Sequence, residues 1–253
     1  RYNYIMTINS YLGNPLLKSL NTPQNYTKEE IQEYVKCRDD PIYFISTYMT
    51  IVNVDQGLMK FKLWPFQEDL INLLSNNRFC IVKCPRQSGK SQTSLAFMLH
   101  YVLFNDQKNI AILANKGATA RELLGRLQFA YEKLPMFIQQ GVSEWNKGSI
   151  FLENGSRILA SSTSSSAIRG YSFNLIFLDE FAFVPQNLAE EFFNSVYPTI
   201  SSGQTSQVII VSTPNGMNHF YKMWTNAIEE RSDYKAFSVN WWDVPGRDAE
   251  WKR

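Results

Sequence analysis

Histidine is nearly absent from this chain, cysteine is scarce, and charge of either sign is almost balanced by the other. Each shortage closes a class of function. The two histidines, His100 and His219, stand away from any cysteine pair at ligand spacing, which excludes the common zinc frameworks. The three cysteines, Cys37, Cys80 and Cys84, are odd in number and build no disulfide scaffold, so a reducing compartment is the default expectation. No apolar run reaches the roughly 18 residues that a membrane-spanning helix needs. Net charge is only +2, so a dedicated nucleic-acid-binding face is not expected and any such contact should be local. Repeats, low-complexity tracts and a secretory leader are also missing. The chain begins with Arg1 rather than Met, and is expected to be a piece of a longer protein.

What is present is 253 residues, 44% of them hydrophobic, enough for one large α/β domain alone or with a small companion. The stretch Cys84-Pro85-Arg86-Gln87-Ser88-Gly89-Lys90-Ser91 stands out. An apolar run, Phe79–Val82, precedes it and a helical pattern, Ser91–Phe104, follows. Strand, tight loop, helix is the context in which a Gly-Lys-Ser sequence becomes a phosphate loop. Backbone N–H groups of Pro85–Lys90, other than proline's, and the first helical turn can face phosphate oxygens. Gly89 lets the backbone approach closely, Lys90 can reach the β- and γ-phosphates, and the Ser91 hydroxyl can ligate Mg²⁺. The entry departs from the usual pattern, with Cys84 where glycine is expected and Pro85 fixing one φ angle. Arg86 places a second cation inside the loop.

Asp179-Glu180 directly follows the wholly apolar run Leu175–Leu178, which reads as a buried parallel strand. Ligands in open α/β sheets bind at the carboxyl ends of strands, so both acids are expected to face the phosphate loop. Asp179, at the strand tip, can complete a Mg²⁺ site with Ser91, and Glu180, one residue further, can orient and deprotonate an attacking water. Ser212-Thr213 ends the next apolar strand, Val208–Val211, where hydroxyls can sense a γ-phosphate; a plain polar turn is the alternative. Gln67, on a helix opened by Pro65, carries an amide able to read adenine, or is simply a helix residue. Trp64 and Phe66 beside it can stack on a base or pack. Arg169, in a Ser-rich loop, can reach a neighbouring subunit as an arginine finger or make a local contact. No kinase catalytic-loop signature occurs.

Elsewhere, residues 1–25 read as an irregular arm. Thr27-Lys28-Glu29-Glu30 is a capping box for a helix to about Arg38, and Asp40-Pro41 opens another to about Met49. Ile51–Val54 and Leu58–Lys62 suggest a hairpin, as do Ser149–Leu152 and Arg157–Ser161 around Asn154-Gly155. Further helices are expected at Phe66–Leu74, Ala118–Leu134, about Leu188–Val196 and Met217–Glu230, and further strands at Ile110–Ala114 and Tyr234–Val239. This alternation predicts a mostly parallel sheet flanked by helices.

Five ordered motifs together carry a family resemblance: Arg86–Ser91, Trp145-Asn146-Lys147-Gly148-Ser149, Ile168-Arg169-Gly170, Leu175–Glu180 with Phe181-Ala182-Phe183, and Thr213–Tyr221. From roughly Gln32 to Trp242 the chain resembles the large terminase subunit of T-even-type tailed bacteriophages. The resemblance implies an α/β P-loop NTPase fold with an additional-strand core and a small subdomain. It implies residues 63–240 as ATPase core, 1–62 as N-terminal arm and small subdomain elements, and 241–253 as the start of a linker or second subdomain. It implies a motor that uses ATP and Mg²⁺ to drive double-stranded viral DNA into a preformed capsid. The motor acts as a ring with the portal protein and the small terminase subunit, in the host cytoplasm and transiently on the procapsid. Lys90 and Ser91 become the phosphate-loop pair, Asp179 the Mg²⁺ acid, Glu180 the catalytic carboxylate, Ser212 and Thr213 the coupling motif, and Gln67 part of the adenine motif. The coupling motif begins with Val211 rather than a run of threonines. Isolated, the chain is expected to be a monomer that binds DNA weakly and lacks the family's RNase-H-like nuclease domain. The alternatives are a helicase-like remodelling ATPase and a nucleotide-dependent docking module for portal and small subunit.

Overall fold

The computed structural model describes residues 9–53, 55–164, 166, 171–201 and 203–247. Two short strands, β1 (Ser10–Tyr11) and β2 (Asn14–Lys18), form a hairpin. Helix α1 (Lys28–Asp39) starts at the capping box, with Thr27 Oγ1 accepting from Glu30 N and the Glu30 carboxylate accepting from Thr27 N. Helix α2 (Pro41–Tyr48) follows with Asp40 as its N-cap and proline at its first position. Strands β3 (Thr50–Asn53) and β4 (Gly57–Lys60) make the expected second hairpin; Val54 lies outside the described residues. Then come α3 (Pro65–Asn76), β5 (Phe79–Lys83), α4 (Lys90–Phe104), β6 (Asn109–Ala114) and α5 (Gly117–Glu132). Strands β7 (Val142–Trp145), β8 (Ser149–Leu152), β9 (Arg157–Ser162) and β10 (Leu175–Asp179) lead to helix α6 (Gln186–Ser201). Strand β11 (Gln207–Ser212), helix α7 (His219–Ile228) and strand β12 (Lys235–Ser238) finish the order.

Eight strands form one sheet in the order β12-β5-β11-β10-β6-β9-β8-β7. From β12 to β9 every neighbouring pair is parallel, and the edge pairs β9-β8 and β8-β7 are antiparallel. The side-chain alternation of the central strands explains why both faces are covered. Cys80, Val82, Phe177, Ile209 and Val211 face one layer, which also takes in residues of α1 to α5. Ile81, Ile176, Leu178, Val208 and Ile210 face the other, closed by α6 and α7. Phe177 is wholly buried; burial of such a side chain contributes about 1.5–3 kcal/mol. The P-loop-type α/β architecture expected from the sequence is the one found. Strand β11 is inserted between β5 and β10, so the phosphate-loop strand and the acidic strand are not neighbours.

Three departures from the sequence reading have physical causes. The described part of the N-terminal arm is not irregular. Leu17 is buried, Ser19 bridges Val142 in parallel, and Lys18 N donates to Gln139 Oε1 at 3.1 Å, so the arm is fixed by pairing with residues over 100 positions away. Strand β7 has only four residues with two polar ones, too short for a periodicity signal. The Trp145–Ser149 motif is its turn, where Asn146 Oδ1 accepts from Gly148 N and Ser149 N, both at 2.8 Å. Helix α6 runs on to Ser201 despite Pro198 inside it.

Helix α1 is tied to α4 through His100. Its buried Nε2–H donates to Cys37 O at 2.9 Å and to Arg38 O at 3.2 Å, between the rings of Phe44 and Phe104. Burial holds the His100 pKa below its ordinary value of 6.5. The folded chain therefore takes up this proton less readily than the unfolded one. The stability contributed by neutral His100 is full above pH 6.5 and is lost as pH falls from there through the folded value. Wild type should lose more thermal stability than His100→Gln between about pH 7.5 and about pH 5.5, because the amide keeps a donor and does not titrate. Thermal denaturation at the two pH values checks this; equal losses in both proteins would refute it.

Candidate functional site

Three strand tips meet on one edge of the sheet. Val211 pairs with Asp179 on one side and with Val82 on the other, and Ser212 pairs with Lys83. The loop after β5 begins with Cys84 N donating to Ser212 O at 3.2 Å, so the phosphate-loop candidate is tied at its start to the tip of β11. Within the loop Ser88 is buried and its Oγ donates to Pro85 O at 3.0 Å. Gln87 has φ +56 and Gly89 φ +73. A Cβ at position 89 would lie 2.6 Å from Gln67 Nε2, so glycine is required there both by backbone conformation and by space. Helix α4 then starts at Lys90, presenting the unpaired N–H groups of its first turn.

The charged groups are already paired with one another. Lys90 Nζ lies 2.7 Å from Glu180 Oε1, and the lysine side chain is only 8% exposed. Ser91 Oγ donates to Asp179 Oδ1 at 2.9 Å. Asp179 is buried, and burial pushes its carboxyl up to about 6; the Ser91 hydrogen bond, Lys90 and Arg126 pull it down in part. Glu180 has the left-handed backbone conformation, φ +49 and ψ +42, which costs a non-glycine residue about 1 kcal/mol or more. Its carboxylate is also bound by Ser212 and Thr213. Thr213 N donates to Oε2 at 3.2 Å, Thr213 Oγ1 to Oε1 at 3.4 Å, and Ser212 Oγ lies 3.4 Å from Oε2. Beside this cluster is a cavity of about 320 Å³ lined by Arg86, Gln87, Lys90, Asn115, Thr119, Glu180 and Phe183.

Most of the residues singled out in the sequence are thus brought together: Arg86, Gln87, Lys90 and Glu180 on the cavity, Ser91 and Asp179 beside it, Ser212 and Thr213 on Glu180. Pro85 and Ser88 shape the loop behind it. Arg169, with the rest of Ile168-Arg169-Gly170, lies outside the described residues. Gln67 is 2% exposed; its Oε1 accepts from Trp64 N at 2.9 Å, and its Nε2 donates to Ser88 O at 3.4 Å. Its amide joins the start of α3 to the loop that precedes Lys90. Trp64 and Phe66 pack against the core.

Asn115 and Thr119 gave no separate signal in the sequence, while Asn215, Asn218 and His219 fall within the Thr213–Tyr221 motif. Asn115 and Thr119 line the cavity from β6's tip and the first turn of α5. Asn218 Nδ2 donates to Ala182 O at 2.6 Å, and Asn215 Nδ2 to the same oxygen at 3.2 Å. These bonds hold the turn that follows Glu180. His219 stacks on Phe193 and meets Phe181 edge-on, fixing α7 to the same turn. A signal existed for the asparagines, the Pro214-Asn215-Gly216-Met217-Asn218 run, but only the fold shows what it grips.

Residues 81–252 match the family described as terminase large subunit, T4-like-virus type, N-terminal. The chain belongs to this large terminase family. Among solved structures, the large terminase ATPase domain of Thermus phage P74-26 aligns with 22% identity over 76% of this chain and 86% of that one, at a TM-score of 0.60. The large terminase of bacteriophage HK97 aligns at TM-score 0.68 with 18% identity, over 83% of this chain and 45% of that chain. A large terminase from a thermophilic bacteriophage, solved with ATP-γ-S, aligns at TM-score 0.56 with 13% identity, over 75% of this chain and 47% of that one. The chain thus spans 86% of the isolated P74-26 ATPase domain and less than half of the two longer terminases. The family match places residues 81–252 in the N-terminal part of a terminase large subunit, and the fold is the one shared with these structures.

The raised Asp179 carboxyl gives a test that needs no turnover. Between its ordinary value of 3.8 and about 6 the folded terminase holds a proton that the unfolded chain has released. The buried charge therefore costs stability fully above pH 6, and the cost fades as pH falls toward 3.8. Asp179→Asn should melt higher than wild type at about pH 7.5, with the gain shrinking by about pH 4.5. Thermal denaturation without ligand measures it, and a lower melting point for the variant at the higher pH would contradict the reading.

Proposed function

We propose that this chain is the ATP-hydrolysing motor region that drives double-stranded viral DNA into a preformed capsid. The observation that carries the proposal is the convergence of Lys90 and Ser91, at the start of α4, with Asp179 and Glu180, at the end of β10, in a chain of the terminase family. A homologous terminase binds ATP-γ-S, which supports the cavity beside Lys90 as the nucleotide site.

The chain's own groups divide the work. Loop N–H groups and the α4 N-terminus face the β- and γ-phosphates. Lys90 transfers from Glu180 to phosphate oxygens, since the nucleotide offers it more negative charge. That exchange frees Glu180 to orient the attacking water and take its proton. Ser91 and Asp179 are hard oxygen donors beside each other, and a buried carboxyl pushed up to about 6 is a site that a cation would relieve. They would hold Mg²⁺, which supplies charge neutralisation on the phosphate oxygens when bound. Ser212 and Thr213, bonded to the Glu180 carboxylate, feel its release and pass the change into β11 and α7.

In this reading 63–240 is the motor core, 1–62 the N-terminal arm and small subdomain elements, and 241–253 opens a linker or second subdomain. The working assembly is a ring with the portal protein and the small terminase subunit on the procapsid in the host cytoplasm. The isolated chain is a monomer with weak, salt-sensitive DNA binding and no nuclease activity.

Glu180→Gln should keep nucleotide binding and lose turnover by at least about 100-fold, because the amide cannot accept the water's proton. Lys90→Ala should lose both. Phosphate release and titration of Mg·ATP read the two effects, and normal turnover in either variant would remove the assignment.

Arg86 is exposed on the cavity wall within its own subunit's phosphate loop, so it is proposed as the arginine finger in cis. Arg86→Ala should then lose about 10³-fold or more in rate at every protein concentration, while dilute wild type keeps its specific activity. Activity that rises with concentration, together with rescue when Arg169→Ala and Lys90→Ala proteins are mixed, would assign the finger to Arg169 in trans instead.

A further inference from the structure

The segment after β12 returns across the outside of the phosphate loop. Val239 N donates to Lys83 O at 2.9 Å, a 3₁₀ turn spans Trp241–Asp243, and Val244 is buried in the core. Arg247 N bonds back to Val244 O at 3.2 Å, which sets where its side chain starts. From there Arg247 Nη2 donates to Arg86 O at 2.9 Å and to Gln87 O at 3.1 Å. A single guanidinium nitrogen therefore holds two successive carbonyls of the loop.

We propose that Arg247 is a positioning residue for the nucleotide's polyphosphate, acting through the loop backbone; this rests on the reading of that loop as the nucleotide site. In a trans peptide the C=O and the following N–H point in opposite directions, and the described residues contain no cis peptide bond. Holding the carbonyls of Arg86 and Gln87 toward Arg247 turns the N–H groups of Gln87 and Ser88 the other way, away from Arg247. Successive N–H groups aimed at one point form an anion-binding nest, and such a nest needs a left-handed residue within it. Gln87 is that residue, at φ +56. A side chain other than glycine pays for that conformation, so the loop needs an outside partner to remain in it. Hydrogen bonds from a charged donor are the stronger kind, and the guanidinium also adds positive potential behind the amides. Water can replace Arg247 on the two exposed carbonyls, so its loss should disorder the nest far more than it destabilises the fold. The ligand class served is a di- or triphosphate.

The test compares wild type, Arg247→Ala, Arg247→Lys and Lys90→Ala by calorimetric titration of Mg·ADP, steady-state ATP hydrolysis and thermal denaturation. Arg247→Ala should bind Mg·ADP about tenfold more weakly and raise KM for ATP by a similar factor, the loss expected of one net charged hydrogen bond. Its melting point should change by only a few degrees. Arg247→Lys, which keeps the charge and a donor, should recover most of the affinity. If wild type binds and Lys90→Ala does not, while Arg247→Ala binds as tightly as wild type, the role of Arg247 is overturned and the site stands. If both Arg247 variants lose affinity only in proportion to a large common drop in melting point, Arg247 is merely structural. If wild type itself fails to bind Mg·ADP, the nucleotide site falls, and the inference with it.

Discussion

The ion pair between Lys90 and Glu180 is the interaction on which the rest of the site depends. It joins the first turn of α4 to the residue after β10, across the width of β11. Lys90 is nearly fully buried, and a charge taken from water is tolerated there only with a partner at hydrogen-bond distance. The 2.7 Å contact therefore fixes the loop and the acidic strand tip relative to each other before any phosphate enters. It also makes Glu180 and any incoming anion competitors for Lys90: what engages Lys90 must release Glu180. A polyphosphate is the natural third party, because it carries more negative charge than one carboxylate.

The other constraints follow from keeping that pair in place. Glu180 is held in a left-handed conformation and Gln87 in another, and each is gripped from outside its own segment. On the acidic side Asn215 and Asn218 converge on Ala182 O, and Ser212 Oγ accepts from Ala182 N at 3.0 Å, so the turn after Glu180 is bonded at both ends of one residue. On the loop side Gln67 and Arg247 hold the backbone from Ser88, Arg86 and Gln87. Strain placed at a reactive site and offset by neighbouring elements is the pattern expected of a device that must change state.

Helix α7 is the element best placed to receive such a change. Its N-cap, Asn218, bonds the Glu180 turn, and its Trp224 ring lies under Lys83 Nζ at 4.6 Å, at the end of the phosphate-loop strand. Trp224 is buried and His219 stacks on Phe193 and meets Phe181 edge-on, so the helix has little freedom to slide independently of either. A shift of Glu180 relative to Lys90 therefore has a short, packed route into α7.

Local chemistry determined a good part of this protein from the sequence alone. The Gly-Lys-Ser loop between an apolar strand and a helix, the acidic pair after Leu175–Leu178, the two capped N-terminal helices and the alternation that makes a parallel sheet are all encoded within short windows, where periodicity and turn chemistry act. Strand β7 escaped because four residues carry no period, and the N-terminal hairpin because its stability comes from partners more than 100 positions away. The insertion of β11 between β5 and β10, the pairing of Lys90 with Glu180, the direction of the Gln67 amide and the grip of Arg247 on the loop were decided only by the tertiary structure. Each is a contact between segments that no window contains. Which partner a buried amide or a long cation finds is set by the packing of whole elements and by the cost of leaving a polar group unsatisfied, not by its neighbours in the chain.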